Sequence, residues 1–178
     1  MSDSTVIQSV QLQELELLTP NPAPFTGAFN WRVRLQTLDV LPLPIDIAFV
    51  WVGSQKGDEN DQTLDEIEVG PLPPGTHEFT VEHEAPNFEL IPKADLIGVT
   101  GLFMSFSYAG QQFLRVGYYV SVAYWDEALN AVPPPVVDIN KVGRNLLIQK
   151  PILNCYGIDW SATAKPASDD DDDAAKAE

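Results

Sequence analysis

The sequence predicts an all-β, immunoglobulin-like sandwich with one or two short helices and a disordered acidic tail. Three observations favour this fold class: short segments of alternating apolar and polar residues, clusters of Pro, Gly, Asn and Asp between them, and little helical periodicity. Seven or more short strands at such spacing are typical of this sandwich. The 178 residues, 44% of them hydrophobic, suffice for one core. We expect one domain over residues 1–160 and a tail over residues 161–178.

The alternating segments place the strands in order along the chain. Trp31 to Leu35 and Ile45 to Trp51 each carry their apolar residues at odd positions. Later segments of the same character cover residues 77–84, 96–108, 113–120 and 136–147, with strand-like residues at 154–160. Short helices are predicted at residues 92–96, which begin with a proline, and at residues 124–129, shortly before three prolines.

The segment FLRVGYYV, residues 113–120, places an arginine in an otherwise apolar strand. Its even-numbered side chains would face the core, and Arg115, Gly117 and Tyr119 would share the other face. Two interpretations remain open from this pattern. The guanidinium could form a bidentate pair with a neighbouring carboxylate, or the face could bind a partner.

Charge narrows the choice of partner. The formal net charge is -16 and the pI is about 4.2, which argues against binding to nucleic acid phosphates and favours a basic partner. Residues 1–160 hold 20 acidic and 8 basic side chains, so the domain itself is acidic. Five consecutive aspartates, Asp169 to Asp173, predict disorder in the tail. The acidic stretch at residues 58–68 is interpreted as a solvated loop without the register of a calcium site, or alternatively as a landing site for a cationic partner.

The sequence contains no motif that predicts an enzyme, a metal site or a cofactor. G-x-S-x-G, Walker, C-x-x-C and H-E-x-x-H patterns are all absent. We expect His77 and His83 at the surface or at a strand edge, and Cys155 as a small, half-buried apolar side chain. The first residues lack the pattern of a secretion signal and no run is long enough to span a membrane, so we expect the cytoplasm or the nucleus.

Several motifs together resemble the anti-silencing function histone chaperone family, which holds a histone H3–H4 dimer. They are NPAPF (21–25), WVGS (51–54), DQTLDEIEVGPLPPG (61–75), ELIPKADLIGVT (89–100), FLRVGYYV and PPPVVDINKVGRNLL (133–147). The resemblance runs from about residue 5 to Trp160. It implies a nuclear, monomeric, non-catalytic protein that escorts H3–H4 for nucleosome assembly and disassembly.

The resemblance also implies which residues would bind histone H3. Arg115 and Tyr119 would belong to a concave sheet surface that receives the C-terminal helix of H3, and Gly117 would let that helix approach closely. The other residues carried over are Val52, Asp61, Asp95, Val99, Gly101 and Phe103. Val99 and Phe103 would be apolar anchors, and Asp61 and Asp95 would pair with histone cations at the rim.

Gly101 departs from the family, which usually has a valine there. Loss of one buried valine side chain is worth roughly 1.5–3 kcal/mol. We expect Phe103 to lean across the gap, so that the H3 pocket is shifted rather than lost.

Two further departures concern other partners. Leu43 and Pro44 stand where the family carries an acidic pair that binds chromatin assembly factors, so that site is altered here. The C-terminal segment implied to pair with the H4 tail contains Pro151, Ile152, Leu153 and Tyr156, and Ile152 replaces a basic residue. Backbone pairing is independent of side chains and should survive this change.

The sequence thus predicts a histone chaperone, and one alternative keeps the fold but changes the partner. In that alternative the chain is an acidic adaptor for a non-histone basic protein, an interpretation that Gly101 favours. The feature that distinguishes the two is whether the face of Val99, Gly101, Phe103, Arg115 and Tyr119 is concave and exposed to solvent.

Overall fold

Two antiparallel sheets pack against each other in the computed structural model, which describes residues 8–54 and 56–162. The smaller sheet has the order β1 (Val10–Leu17), β3 (Phe29–Thr37), β6 (Gly75–His83). The larger has the order β2 (Ala23–Pro24), β9 (Val142–Leu146), β8 (Gln111–Tyr124), β7 (Gly98–Tyr108), β4 (Ile45–Trp51), β5 (Gln62–Val69), and β10 (Ile152–Cys155) pairs with β8. The predicted all-β sandwich is confirmed, and the tail from residue 163 onward lies outside the described residues.

The core forms between the inner faces of the two sheets. On β3 and β4 every odd-numbered side chain is buried, as the alternation predicts. Trp31 stands at the centre, with ring centroids 5.8 Å from Tyr118 and 6.5 Å from Phe49 across the sandwich. Burial raises the pKa of Tyr118 to about 12.

Both predicted helices are present and short: α1 (Lys93–Leu96) and α2 (Glu127–Ala131). Asp126 caps α2, because its carboxylate accepts a hydrogen bond from the N–H of Ala128 at 2.9 Å. Neither these nor any other helix of the described residues is long and apolar enough to cross a membrane.

The acidic stretch at residues 58–68 is not a loop throughout, so this part of the prediction is wrong. Only its beginning is a turn, and β5 occupies the rest as the edge strand beside β4. Leu64, Ile67 and Val69 pack against the core and hold the strand in place. The acidic side chains therefore sit on an ordered sheet edge.

Two of the motifs have a structural role. The guanidinium of Arg144 is buried, lies 3.7 Å from the ring centroid of Phe29, and donates hydrogen bonds to four carbonyl oxygens between Pro24 and Ala28. Asn21 binds the backbone of Leu146 through both its amide nitrogen and its amide oxygen. Burial lowers the pKa of Arg144 to about 10. NPAPF and VGRNLL thus fasten one corner of the sandwich.

Two minor expectations differ from the structure. His83 lies at the end of the edge strand β6, but its side chain is buried, with its ring between Phe29 and Phe49. Cys155 is exposed, because every residue of the short strand β10 lies at the surface.

Candidate functional site

A groove of about 370 Å³ opens on the outer face of the larger sheet. The strands β7, β8 and β10 and the residue directly after β4 supply its lining, which includes Val52, Gly101, Phe103, Arg115, Gly117, Tyr119 and Ile152. The face that the sequence singled out is therefore concave and accessible to solvent. The opposite face of β8 belongs to the core, since Leu114, Val116, Tyr118 and Val120 are all buried.

The register of β7 and β8 sets large side chains beside small ones. Gly101 lies opposite Tyr119, and Phe103 lies opposite Gly117. Each aromatic side chain therefore has a bare backbone as its cross-strand neighbour, and this alternation makes the surface uneven. Tyr119 is 52% exposed, which leaves its ring available to a partner.

Arg115 stacks on the groove wall. Its guanidinium carbon is 3.7 Å from the ring centroid of Phe103, within the range of a cation–π interaction. Among residues 8–54 and 56–162, ion pairs link Arg32 with Glu16 and Arg34 with Glu14 and Glu78, and none includes Arg115. The sequence analysis left open a bidentate ion pair between Arg115 and a carboxylate. Stacking on Phe103, and not such a pair, positions this arginine.

Gly101 leaves room on the groove floor. A Cβ atom added there would lie 3.5 Å from Cγ2 of Val52 and 3.6 Å from the carbonyl oxygen of Tyr118, which are ordinary contacts. The atoms nearest to that Cβ position belong to Val52 and Tyr118 and not to Phe103. Phe103 instead lies beside Gly117 and beneath the guanidinium of Arg115.

The remaining predicted H3-contact residues, Val99, Asp61 and Asp95, are not part of the groove lining. Val99 is 55% exposed and is two residues from Gly101 along β7, so it continues the same face. The Asp61 carboxylate accepts a hydrogen bond from the N–H of Gly53 at 3.3 Å, next to Val52. Asp95 is half-buried in the short helix α1, just before β7.

Thr100 and Asn154 are among the groove residues that the sequence analysis missed. The Thr100 hydroxyl donates to the carbonyl oxygen of Val52 at 2.5 Å and so ties β7 to the end of β4. Asn154 lies opposite Arg115 on β10 and contributes to the lining. Neither had a signal in the sequence, because a single polar residue in a strand does not reveal which strand it will face.

The strand β10 is an exposed addition to the sheet. It pairs with Leu114–Gly117 of β8, on the side where β9 pairs with Val120–Tyr124. Pro151, Ile152, Leu153 and Tyr156 are all exposed, and of these Ile152 reaches the groove.

The same sheet face becomes acidic toward β5. Glu66 lies opposite Ala48 and Glu68 opposite Asp46, and these residues line a second depression together with Ser105 and Ser107. An apolar groove with one arginine therefore adjoins a region of negative potential. Such a surface suits a partner that combines apolar and cationic side chains.

The fold and this groove define an acidic β-sandwich with an exposed binding face. The model of the family described as ASF1-like histone chaperones matches residues 7–161. Histone chaperone asf1a-B of Xenopus laevis is 37% identical over 161 residues, which cover 90% of this chain and 80% of that protein. Histone chaperone ASF1 of Gibberella zeae is 39% identical over 144 residues, 81% of this chain and 52% of that protein. The chain belongs to the ASF1-like histone chaperone family, whose function is non-catalytic.

Proposed function

We propose that this chaperone binds an H3–H4 dimer in the nucleus and escorts it for nucleosome assembly and disassembly. It would act as a monomer, cover the basic and partly apolar surface of the dimer, and block H3–H3 association until the histones are handed over. The net charge of -16 supports a basic cargo. The folded unit over residues 1–160 would suffice for this contact, and the packing of Trp160 against Tyr108 and Phe113 supports that boundary.

The observation that carries the proposal is the position of Arg115 in the groove and the contacts of its guanidinium group. It is an arginine within an apolar groove, stacked on Phe103, and none of the ion pairs of the described residues includes it. Its N–H donors can bind carbonyl or carboxylate oxygens of a partner, and the C-terminal end of a helix presents such carbonyls. Arginine and tyrosine are also the residue types that dominate binding energy at interfaces. Arg115 and Tyr119 would thus be the principal H3 anchors.

The surrounding residues would complete the H3 contact. Val52, Val99, Gly101 and Phe103 would supply the apolar surface around the groove. Asp61 and Asp95 would pair with histone lysines or arginines at the rim, where such pairs add specificity and association rate more than affinity.

The strand β10 would receive the C-terminal tail of H4. It carries residues 152–155 at the edge of the larger sheet, and an extended peptide can add to such an edge through main-chain hydrogen bonds. Pro151, Ile152, Leu153 and Tyr156 would contact the side chains of that peptide.

Contacts with chromatin assembly factors would be weaker here than where an acidic pair is present. Leu43 is half-buried against the core, and its N–H donates to the hydroxyl of Tyr108 at 3.4 Å. With Pro44 beside it, this corner offers no carboxylate at either position. Such factors would have to rely on other contacts, among them Asp46.

Titration calorimetry of the full chain with H3–H4 at about 0.5 M salt tests the proposal, because screening removes most non-specific attraction. Arg115→Glu should weaken binding by about 30-fold or more, as for a hot-spot residue. Arg32→Glu on the opposite sheet makes the same charge change and should bind like the wild type. Gly101→Val should tighten binding by about tenfold, because it adds apolar surface where the structure has room.

Equal losses for Arg115→Glu and Arg32→Glu would mean that charge alone holds histone. Absence of saturable binding by the wild type would contradict the proposal and favour an adaptor with a different basic partner.

A further inference from the structure

A half-exposed tryptophan lies on the same face as the groove, at the far end of β8. The side chains of Arg115, Tyr119 and Ala123 alternate with buried ones along this strand, and Trp125 follows directly. At about 3.3 Å per residue, Trp125 lies roughly 20 Å beyond Tyr119. Trp125 is 50% exposed, whereas Trp31 and Trp51 are buried.

The indole of Trp125 is held flat on the sheet by Gly143. This glycine lies opposite Ala123 on β9, and a Cβ atom added to it would be only 2.5 Å from an indole carbon. Any other residue at position 143 would push the ring away. The backbone N–H of Trp125 also donates to the carbonyl oxygen of Lys141 at 3.0 Å. One indole face is therefore fixed against the backbone, so the ring is positioned before a partner arrives.

The surroundings of Trp125 favour a cation on its open face. Asp126 and Glu127 follow it in sequence and are exposed at the start of α2. Within the described residues, guanidinium groups stack on Phe103 and Phe29, and the ring of Trp125 has no such neighbour. Lys141 contacts Trp125 through its backbone carbonyl. Tryptophan offers the strongest cation–π face of the aromatic side chains.

We infer that the exposed face of Trp125 binds an arginine or lysine side chain of the histone cargo, as an anchor separate from the groove. This inference rests on the proposed function, since it assigns a second contact to the same cargo. Because the ring of Trp125 is already fixed, binding a partner costs little side-chain entropy. The ring and the two carboxylates beside it attract the cationic groups in which histones are rich. The binding face then extends along β8 from Arg115 to Trp125.

Two variants of Trp125 in the full chain separate a cation–π contact from apolar burial. Trp125→Leu keeps an apolar side chain and loses the ring, and Trp125→Phe keeps a weaker ring. In calorimetry with H3–H4, Trp125→Leu should weaken binding about 3- to 10-fold, with Trp125→Phe in between. Val40→Ala, at a position 80% exposed on another part of the surface, controls for the loss of an exposed apolar group.

Wild-type affinity for Trp125→Leu would overturn the inference, and so would equal losses for the leucine and phenylalanine variants, which would point to simple burial. Arg115→Glu tests the cargo independently, so failure of the second anchor alone leaves the proposed function intact.

Fluorescence quenching tests the contact through a readout that does not depend on affinity. Acrylamide should quench the wild type more strongly than Trp125→Phe, and the difference belongs to Trp125 because both proteins keep Trp31, Trp51 and the half-buried Trp160. Saturation with H3–H4 should abolish most of that difference. A difference that persists in the saturated complex would show that the ring stays in solvent, and would overturn the inference.

Discussion

The protonation state of His83 follows from its neighbours. The indole nitrogen of Trp31 can only donate, so His83 Nε2 accepts from it at 3.2 Å, and His83 Nδ1 lies 3.0 Å from the carbonyl oxygen of Glu84 as the donor. This arrangement requires the neutral ring. Burial lowers the pKa of His83, against smaller opposing effects of the Glu84 backbone and Asp65.

Because the pKa of His83 is lowered on folding, acid should destabilise the protein through this residue. The unfolded chain takes up the proton near pH 6.5, while the folded chain resists it, so this contribution to stability is complete above that pH and is lost below it. Urea unfolding should therefore give a lower free energy at pH 5.5 than at pH 7.5, with a slope of at most about 1.4 kcal/mol per pH unit. His83→Gln should be less stable at pH 7.5 and lack this decline. An equal decline in both proteins would assign the effect to other groups.

At the scale of elements, the strands that the sequence predicted and those that it missed differ in their regularity. β3 and β4 alternate without interruption, and the register shift between β7 and β8 lies near one end, opposite Phe113, so the faces of all four strands could be assigned over most of their length. β1 and β5 each contain a register shift, between Leu12 and Glu14 in β1 and opposite Phe49 and Val50 in β5. Their core-facing apolar residues are consequently three apart at one point, as in Leu12 and Leu15 or Leu64 and Ile67. A bulge thus hides a strand from a period-two pattern.

In the groove, too, alternation within one strand predicts which side chains share a face, whereas their contacts depend on strand pairing. The shared face of Arg115, Gly117 and Tyr119 followed from alternation within one strand. The stacking of Arg115 on Phe103 and the fixing of Trp125 by Gly143 depend on which strands pair and in which register. Long-range pairing of this kind has no local signature, so the sequence alone could not predict these contacts.

The edge strand β10 supports a prediction about backbone pairing. The N–H of Tyr156 bonds to the carbonyl of Phe113, and bonded pairs alternate along an antiparallel ladder, so the N–H of Leu153 should point away from β8. Leu153→Pro removes this outward donor, and Leu153→Ala removes only the side chain. The proline variant should bind H3–H4 about five- to tenfold more weakly than the alanine variant in calorimetry, the value of one main-chain hydrogen bond. Equal affinities would mean that this edge does not receive an H4 strand.

For the whole molecule, charge and shape have separate roles. The apolar groove with Arg115 provides a fixed contact of short range, whereas the excess of acidic side chains acts over a Debye length, about 8 Å at physiological salt. The groove contact governs mainly how long a complex lasts. The long-range acidic charge governs mainly how fast the complex forms.

This separation predicts the effect of removing residues 163–178, which carry six acidic and two basic side chains. In stopped-flow mixing at low ionic strength, the shortened protein should associate with H3–H4 about three- to tenfold more slowly, because long-range attraction is reduced. Its dissociation rate and its affinity at about 0.5 M salt should equal those of the full chain. Replacing Asp169 to Asp173 by serine keeps the length of the chain and should reproduce most of the loss of rate. A change in the dissociation rate of the shortened protein would contradict this division and would mean that the tail contacts the bound histones directly.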